Sequence, residues 1–437
     1  MRFVERLTRS ERPLVAALLG IGFTARIIWL FVKPAERLRP HMSEMWHVAA
    51  TFARTGELAD AYALGSGVSS HVGPFTTMIE GLIYRAFGVG TLTSELILAL
   101  LAAAVACTVF FLLYRVAETL DIPVVPRLAA LMVLLFVPFE YYLEVVDFRI
   151  RENAFAAMLA AGLLLWLLRL DRAGAPGWRQ IARFGLAAAF TFLINPGFAL
   201  AAYAGLGVIA LRHLPPRRWP LAGLVLLAGF LAVNGAWIVR NELVYHRFMV
   251  SRGTMGIELD TAFHDAAVDP ADPRAVFIAR SQEIHPFFSQ AALDRFATFP
   301  DDATYFAVLG DEARSWIADH PAATAGIMLR HLRELYFTPI WLFNQYNTGS
   351  HNDALKQAIV WMTSGLGLAG LAAGLIARPR RHLFVLLTIA CPTLLYMLVQ
   401  PTLRYRYGFA GLLTFLAAAF VWRLAERLIP SLAQSPR

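Results

Sequence analysis

Two residue classes are scarce in this 437-residue chain. It has only two cysteines, and charged residues make up 16% of it. Cys107 and Cys391 both lie inside apolar runs, which reads as small buried side chains rather than a disulfide or a metal pair. There is no P-loop, no glycine fingerprint of a dinucleotide fold and no His/Cys spacing of a zinc site, so a nucleotide-bound substrate is not indicated. Internal repeats of the transporter kind and low-complexity segments are also missing. What is plentiful is apolar surface: 58% of residues are hydrophobic and the mean hydropathy is +0.54. A soluble core cannot hide that much, whereas a bilayer does not require it to be hidden.

The apolar residues fall in runs of about the length that crosses ~30 Å of hydrocarbon. About ten spans are expected, near 14–32, 92–114, 128–146, 153–168, 181–194, 197–211, 219–239, 355–377, 383–400 and 408–426. The fifth is short and meets the sixth at Asn195-Pro196. The basic stretch Met1 to Arg12 ahead of the first run reads as an uncleaved signal anchor. Counting from a cytoplasmic N-terminus places Arg115, Arg127, Arg169, Arg172, Arg217, Arg218, Arg378 and Arg381 on the inner side, with both termini cytoplasmic. The same bias explains a pI near 9.7 without any nucleic acid.

Two long segments then face outward, 33–91 and 240–354. The expected organisation is a transmembrane module over 1–239 that includes the first outer loop, a small outer α subdomain over 240–354, and C-terminal spans over 355–437. In the large loop, Asp301 and Asp302 precede an apolar stripe at Phe306, Leu309, Ala313, Trp316 and Ile317, and His320-Pro321 opens a second helix. His264, His285 and His320 are scattered there and read as structural.

Polar residues in odd places supply the candidate chemistry. In the first loop, Met45, Val48, Ala49 and Phe52 predict an amphipathic helix lying on the membrane surface, with Glu44, His47 and Thr51 on its other stripe. Glu44 is either a base at the water–lipid boundary or a capping residue. A second group, Glu140, Glu144, Asp147, Arg149, Arg151 and Glu152, closes the third span, either as a polar cavity or as interfacial ion pairs. Arg26 sits within the first span and must snorkel or line a cavity. Arg240, Arg404 and Arg406 stand at the outer boundary, where the inside bias does not explain them. They are either interfacial anchors or phosphate forks, and their recurrence at two junctions favours the second.

In order and placement these marks resemble the GT-C family of polyprenol-phosphosugar transferases, especially the bacterial protein mannosyltransferase-like proteins and the lipid A aminoarabinose transferase. The marks are Ser43-Glu44-Met45-Trp46, His71-Val72-Gly73-Pro74 through Phe87-Gly88, Asp147 to Glu152, Asn195-Pro196, Arg240-Asn241 with Ser251 to Gly256, and Arg404-Tyr405-Arg406. The resemblance implies an all-α GT-C transmembrane bundle with extracytoplasmic loop helices. It also implies transfer of a sugar from a polyprenyl-phosphate donor to a lipid, glycan or protein acceptor, at the outer face of a bacterial inner membrane. Glu44 takes the family's base position, with Asp147 the second acid. Arg240, Arg404, Arg406, His71 and Arg149 become candidates for the donor phosphate. Ser43 stands where many relatives have an aspartate, which argues against a two-carboxylate metal site. No cofactor is expected and a divalent metal is not indicated. A non-catalytic scaffold subunit and a lipid-linked sugar flippase are the rival readings.

Overall fold

The computed structural model describes residues 11–138, 141–149, 151–345 and 352–429. Glu140, the basic residues ahead of Glu11, and Arg437 lie outside them. The described residues are helical, with no strand and one isolated bridge, Ala59 to Val68. Among the described residues, six helices are long and apolar enough to cross a membrane: α1 (Glu11–Val32), α4 (Leu92–Thr119), α6 (Asn153–Ala173), α9 (Trp219–Tyr245), α14 (Asp353–Ala377) and α16 (Tyr407–Leu428). The expected third span is broken: α5 (Val124–Phe136) meets the helical segment Tyr141–Arg149 at a 68° bend. The other three expected spans are α7 (Trp178–Ile194), α8 (Pro196–His213) and α15 (Pro379–Tyr396). At 17, 18 and 18 residues they fall short of that length-and-hydropathy standard and pack among the longer helices. Asn195 separates α7 from α8 by accepting the Gly197 and Phe198 amides, with Pro196 at the first helical position.

Close packing uses small residues. A Cβ on Gly367 or Gly370 of α14 would meet the Leu413 or Leu416 carbonyl of α16 at 2.7 and 2.4 Å, so glycine is what lets these helices touch. Arg26 neither snorkels nor lines an open cavity. It is fully buried, paired with Glu144, and donates to the carbonyls of Gly22, Leu134 and Leu135. Its guanidinium also lies 4.5 Å from the Tyr141 ring centroid. Leu134 and Leu135 are in the last turn before the break at Val137-Pro138, where helical carbonyls lose their partners. Arg26 supplies those partners, so the break and the arginine explain each other.

At one end of the bundle lie α2 (Glu44–Thr55), α3 (Pro74–Phe87), α10 (Met255–Ala262), α11 (Pro273–Ile284), α12 (Asp302–Asp319) and α13 (Pro321–Tyr336). Asp301 caps α12 through the Thr304 amide, and Phe306, Leu309 and Ala313 are its buried stripe, as the spacing anticipated. α2 does not lie on a membrane surface. Val48 packs in a core with Tyr62, Ile257, Ile284 and Phe306, while Ala49 and Ala53 pack with Tyr84 and Leu98. Both of its sides are covered because Ala and Val are small enough to be packed from two directions. The first and second long segments thus share one core. Asp302 pins them: its carboxylate accepts the Ser69 hydroxyl and both the amide and hydroxyl of Ser70 at 2.8–3.0 Å.

Candidate active site

Ser43 caps α2 by accepting the Trp46 amide, which leaves Glu44 in the first helical turn, where the helix field favours negative charge. His71 follows the Ser69-Ser70 pin, and His285 follows the last turn of α11. These three elements converge. One ligating atom each from Glu44, His71 and His285 lies within 4.8 Å of the others, and His285 Nε2 is 3.6 Å from the Glu44 carboxylate. Burial pushes Glu44 up, but His285, His71, Arg151 and a backbone hydrogen bond outweigh it and hold the carboxyl below its usual range. Burial pushes His71 down to about 3 and lowers His285 as well, with the Glu44 charge opposing the drop in both.

The proton positions on the two imidazoles differ. His285 Nδ1 accepts the Phe287 amide at 3.3 Å, which puts its proton on Nε2, facing Glu44. A metal would need that lone pair. His71 Nδ1 meets the Tyr62 hydroxyl at 3.1 Å and its Nε2 is usable in either role. Glu44 and His71 are therefore ready ligands, whereas His285 is arranged as a donor to the carboxylate.

Cations border the cluster. Arg151 is 3.4 Å from Asp147 and lowers Glu44 and His71 through its charge. Arg252 meets Glu152 at 2.5 Å, keeps 41% of its side chain accessible and also acts on His71. Glu258 of α10 is pushed up by burial, with Arg252 opposing and Glu44 adding to the rise. Tyr405 stacks on Tyr396 with centroids 4.7 Å apart and planes 5° from parallel, and Tyr396 accepts the Asn195 amide at 2.9 Å.

The sequence candidates separate accordingly. Glu44 and His71 come together, whereas Asp147 is not in that cluster and is paired with Arg151 and with His41 at 3.8 Å. Arg149 turns into the bundle, bound to Glu95 at 2.8 Å and to the Arg39 carbonyl. Arg240 lies over Trp237 and Tyr245 and donates to Asn241 and the Tyr245 hydroxyl. Arg404 lies over its neighbour Tyr405, and Arg406 is buried against Ser364 of α14. Sequence reasoning read His285 as structural and passed over Arg252 and Glu258. The Ser251 to Gly256 mark was the one signal pointing to Arg252.

No family model and no curated protein matches the sequence. The bundle with its helical cap has the GT-C fold, seen in solved membrane transferases. The oligosaccharyltransferase of Archaeoglobus fulgidus, solved with zinc and sulfate, superposes with a TM-score of 0.52 at 13% identity, over 95% of this chain and 50% of that one. The oligosaccharyltransferase AglB of the same organism, with an inhibitory peptide and a dolichol-phosphate, gives 0.49 at 12% identity over 98% and 53%. ArnT from Cupriavidus metallidurans, bound to undecaprenyl phosphate, gives 0.39 at 14% identity over 98% and 81%. The chain spans about half the length of the oligosaccharyltransferases. At these identities the likeness is one of fold.

Proposed function

We propose that this chain is a membrane glycosyltransferase that moves a sugar from a polyprenyl-phosphate donor to a lipid, glycan or protein acceptor, with Glu44 as the base. The observation that carries this reading is a carboxylate held below its usual range, clustered with two imidazoles and bordered by Arg151 and Arg252, in the helical cap of a GT-C bundle. The carboxylate takes the proton of an acceptor hydroxyl or amine as that atom attacks the anomeric carbon. The anomeric C–O bond breaks with inversion, and its electron pair leaves on the polyprenyl phosphate. Guanidinium groups stabilise that charge. Arg252 is suited to this because much of its side chain is accessible and its partner Glu152 occupies one side only.

Arg240 and Arg404, each lying over aromatic rings, are the further candidates for the donor phosphate. Arg149 and Arg406 support the walls through Glu95 and Ser364. The His285 proton facing Glu44 favours a base over a metal ligand, so transfer is expected to proceed without a divalent ion. The site end is assigned to the extracytoplasmic face of a bacterial inner membrane. Arg172, Arg378 and Arg381 gather at the opposite end, around Asp121.

The test is a transfer assay with labelled polyprenyl-phosphosugars, with and without EDTA. Glu44→Gln is expected to lose transfer by about 10²–10⁴-fold while still folding, and EDTA is expected to change little. Full activity in Glu44→Gln removes the base assignment. Vesicle translocation of the lipid-linked sugar without transfer would instead identify a flippase.

A further inference from the structure

The opposite end of the molecule carries a second feature that the transfer reaction does not use. α6 begins beside Glu152 at the site and runs 21 residues to the far end. Along its outward face is a groove of ≈ 500 Å³, walled by Leu112 of α4, by Gly162, Leu165, Trp166 and Arg169 of α6, and by Gln180 of α7. Its α6 floor continues to Ala173, so it extends for about 16 Å, half of a ~30 Å hydrocarbon core and therefore one leaflet. Trp166 is a fixed wall, set edge-on against Phe184 with centroids 5.3 Å apart. Gly162 has no side chain to fill the inner end.

The outer end of the groove is polar and positive. Arg169 is exposed and has no ion pair among the described residues. One turn on, Arg172 donates to the Thr119 carbonyl and shares Asp121 with Arg378 and Arg381. Three guanidiniums on one carboxylate leave an excess of two positive charges at this rim. Gln180 accepts the Gly177 amide through its carbonyl oxygen, which leaves its NH₂ to donate.

We infer that this groove binds an anionic phospholipid of the leaflet away from the site, one acyl chain lying against Gly162 and Trp166 and the phosphate at Arg169. Apolar walls of one-leaflet length suit any acyl chain. The charge excess at the rim is what selects an anionic headgroup.

The test is native mass spectrometry of the full-length protein incubated with dioleoyl-phosphatidylglycerol or dioleoyl-phosphatidylcholine. Phosphatidylglycerol is expected to be retained about five-fold better, the effect of one basic side chain near a lipid phosphate. Arg169→Gln should reduce its retention toward the phosphatidylcholine level, while Arg218→Gln, exposed at the same end but outside the groove, should leave it unchanged. Gly162→Leu should weaken both lipids by filling the chain site, with an unchanged thermal unfolding profile showing that the variant is folded. Equal retention of the two lipids by the unaltered protein overturns the inference. So does undiminished phosphatidylglycerol binding by Arg169→Gln or by folded Gly162→Leu, or displacement of the lipid by free inorganic phosphate.

Discussion

Glu44 and Glu144 are both carboxylates facing basic side chains near the same end of the bundle, and they differ in what their partners have left to give. Glu144 is 1% exposed and bound to Arg26, whose other two nitrogens donate to three carbonyls. The Arg149–Glu95 pair is equally enclosed, at 1% for each side chain. Glu44 instead has 16% of its side chain accessible and a 3.6 Å approach from His285 rather than a tight pair. Enclosed pairs of the first kind hold helices in place, because taking either charge away leaves the other buried alone. A carboxylate kept ionised without a close partner still has lone pairs to offer a substrate. Charge near hydrocarbon is therefore a poor guide to function until its partners are known.

The comparison can be broken most sharply by neutralising each acid in turn. Glu44→Gln should lower transfer by about 10²–10⁴-fold and leave the stability, read by thermal unfolding, within about 1 kcal/mol of the parent's. Glu144→Ala should do the reverse, destabilising by about 3–5 kcal/mol through the stranded Arg26. Replacing both partners, Arg26→Met with Glu144→Leu, should recover most of that loss in a thermal unfolding assay. A folded, fully stable Glu144→Ala would erase the distinction.

Asp302→Ala is the next largest effect. It removes the acceptor for Ser69 and Ser70 and should cost about 2–3 kcal/mol, loosening the loop that carries His71 from the helices that carry His285. The signature of a positioning role is a fall in kcat larger than the change in KM, measured in detergent below the unfolding temperature.

A further effect is a pH dependence of stability. His71 is pushed down to about 3 and His264 and His331 to about 4 in the folded protein, from an ordinary value of 6.5. Between those limits the unfolded chain binds more protons, so stability is full above about pH 6.5 and falls as the pH drops toward 4. Thermal midpoints measured from pH 7.5 to 4.5 should fall steadily, and His71→Gln should flatten part of that slope. An unchanged slope in the variant would mean that His71 is not held neutral by the fold.

Much of this architecture was legible in the chain. Helices at the caps Ser43, Asn195 and Asp301 begin where local hydrogen bonding dictates, and apolar runs announce the long spans whatever surrounds them. The stripe Phe306, Leu309, Ala313 was readable for the same reason: helical period is a local property. The number of spans was less so, because the break after Phe136 and the short helices α7, α8 and α15 persist only through packing against neighbours.

The site divides along the same line. Glu44 and His71 stood out in the chain as polar residues in an outer loop at a marked boundary, and the apolar composition by itself settled that the protein belongs in a bilayer. His285 did not stand out. It lies 214 positions after His71, and nothing in the residues around it signals that α11 ends facing α2. Only the shared core of the two long segments and the Asp302 pin bring it to Glu44. The arginines show the same division: all were visible as charges, but which one ends against a carboxylate, a ring or water depends on neighbours distant in sequence. Hydrophobicity and helical period are read residue by residue, whereas the working state of a charge is decided by what the fold places within a few ångströms of it.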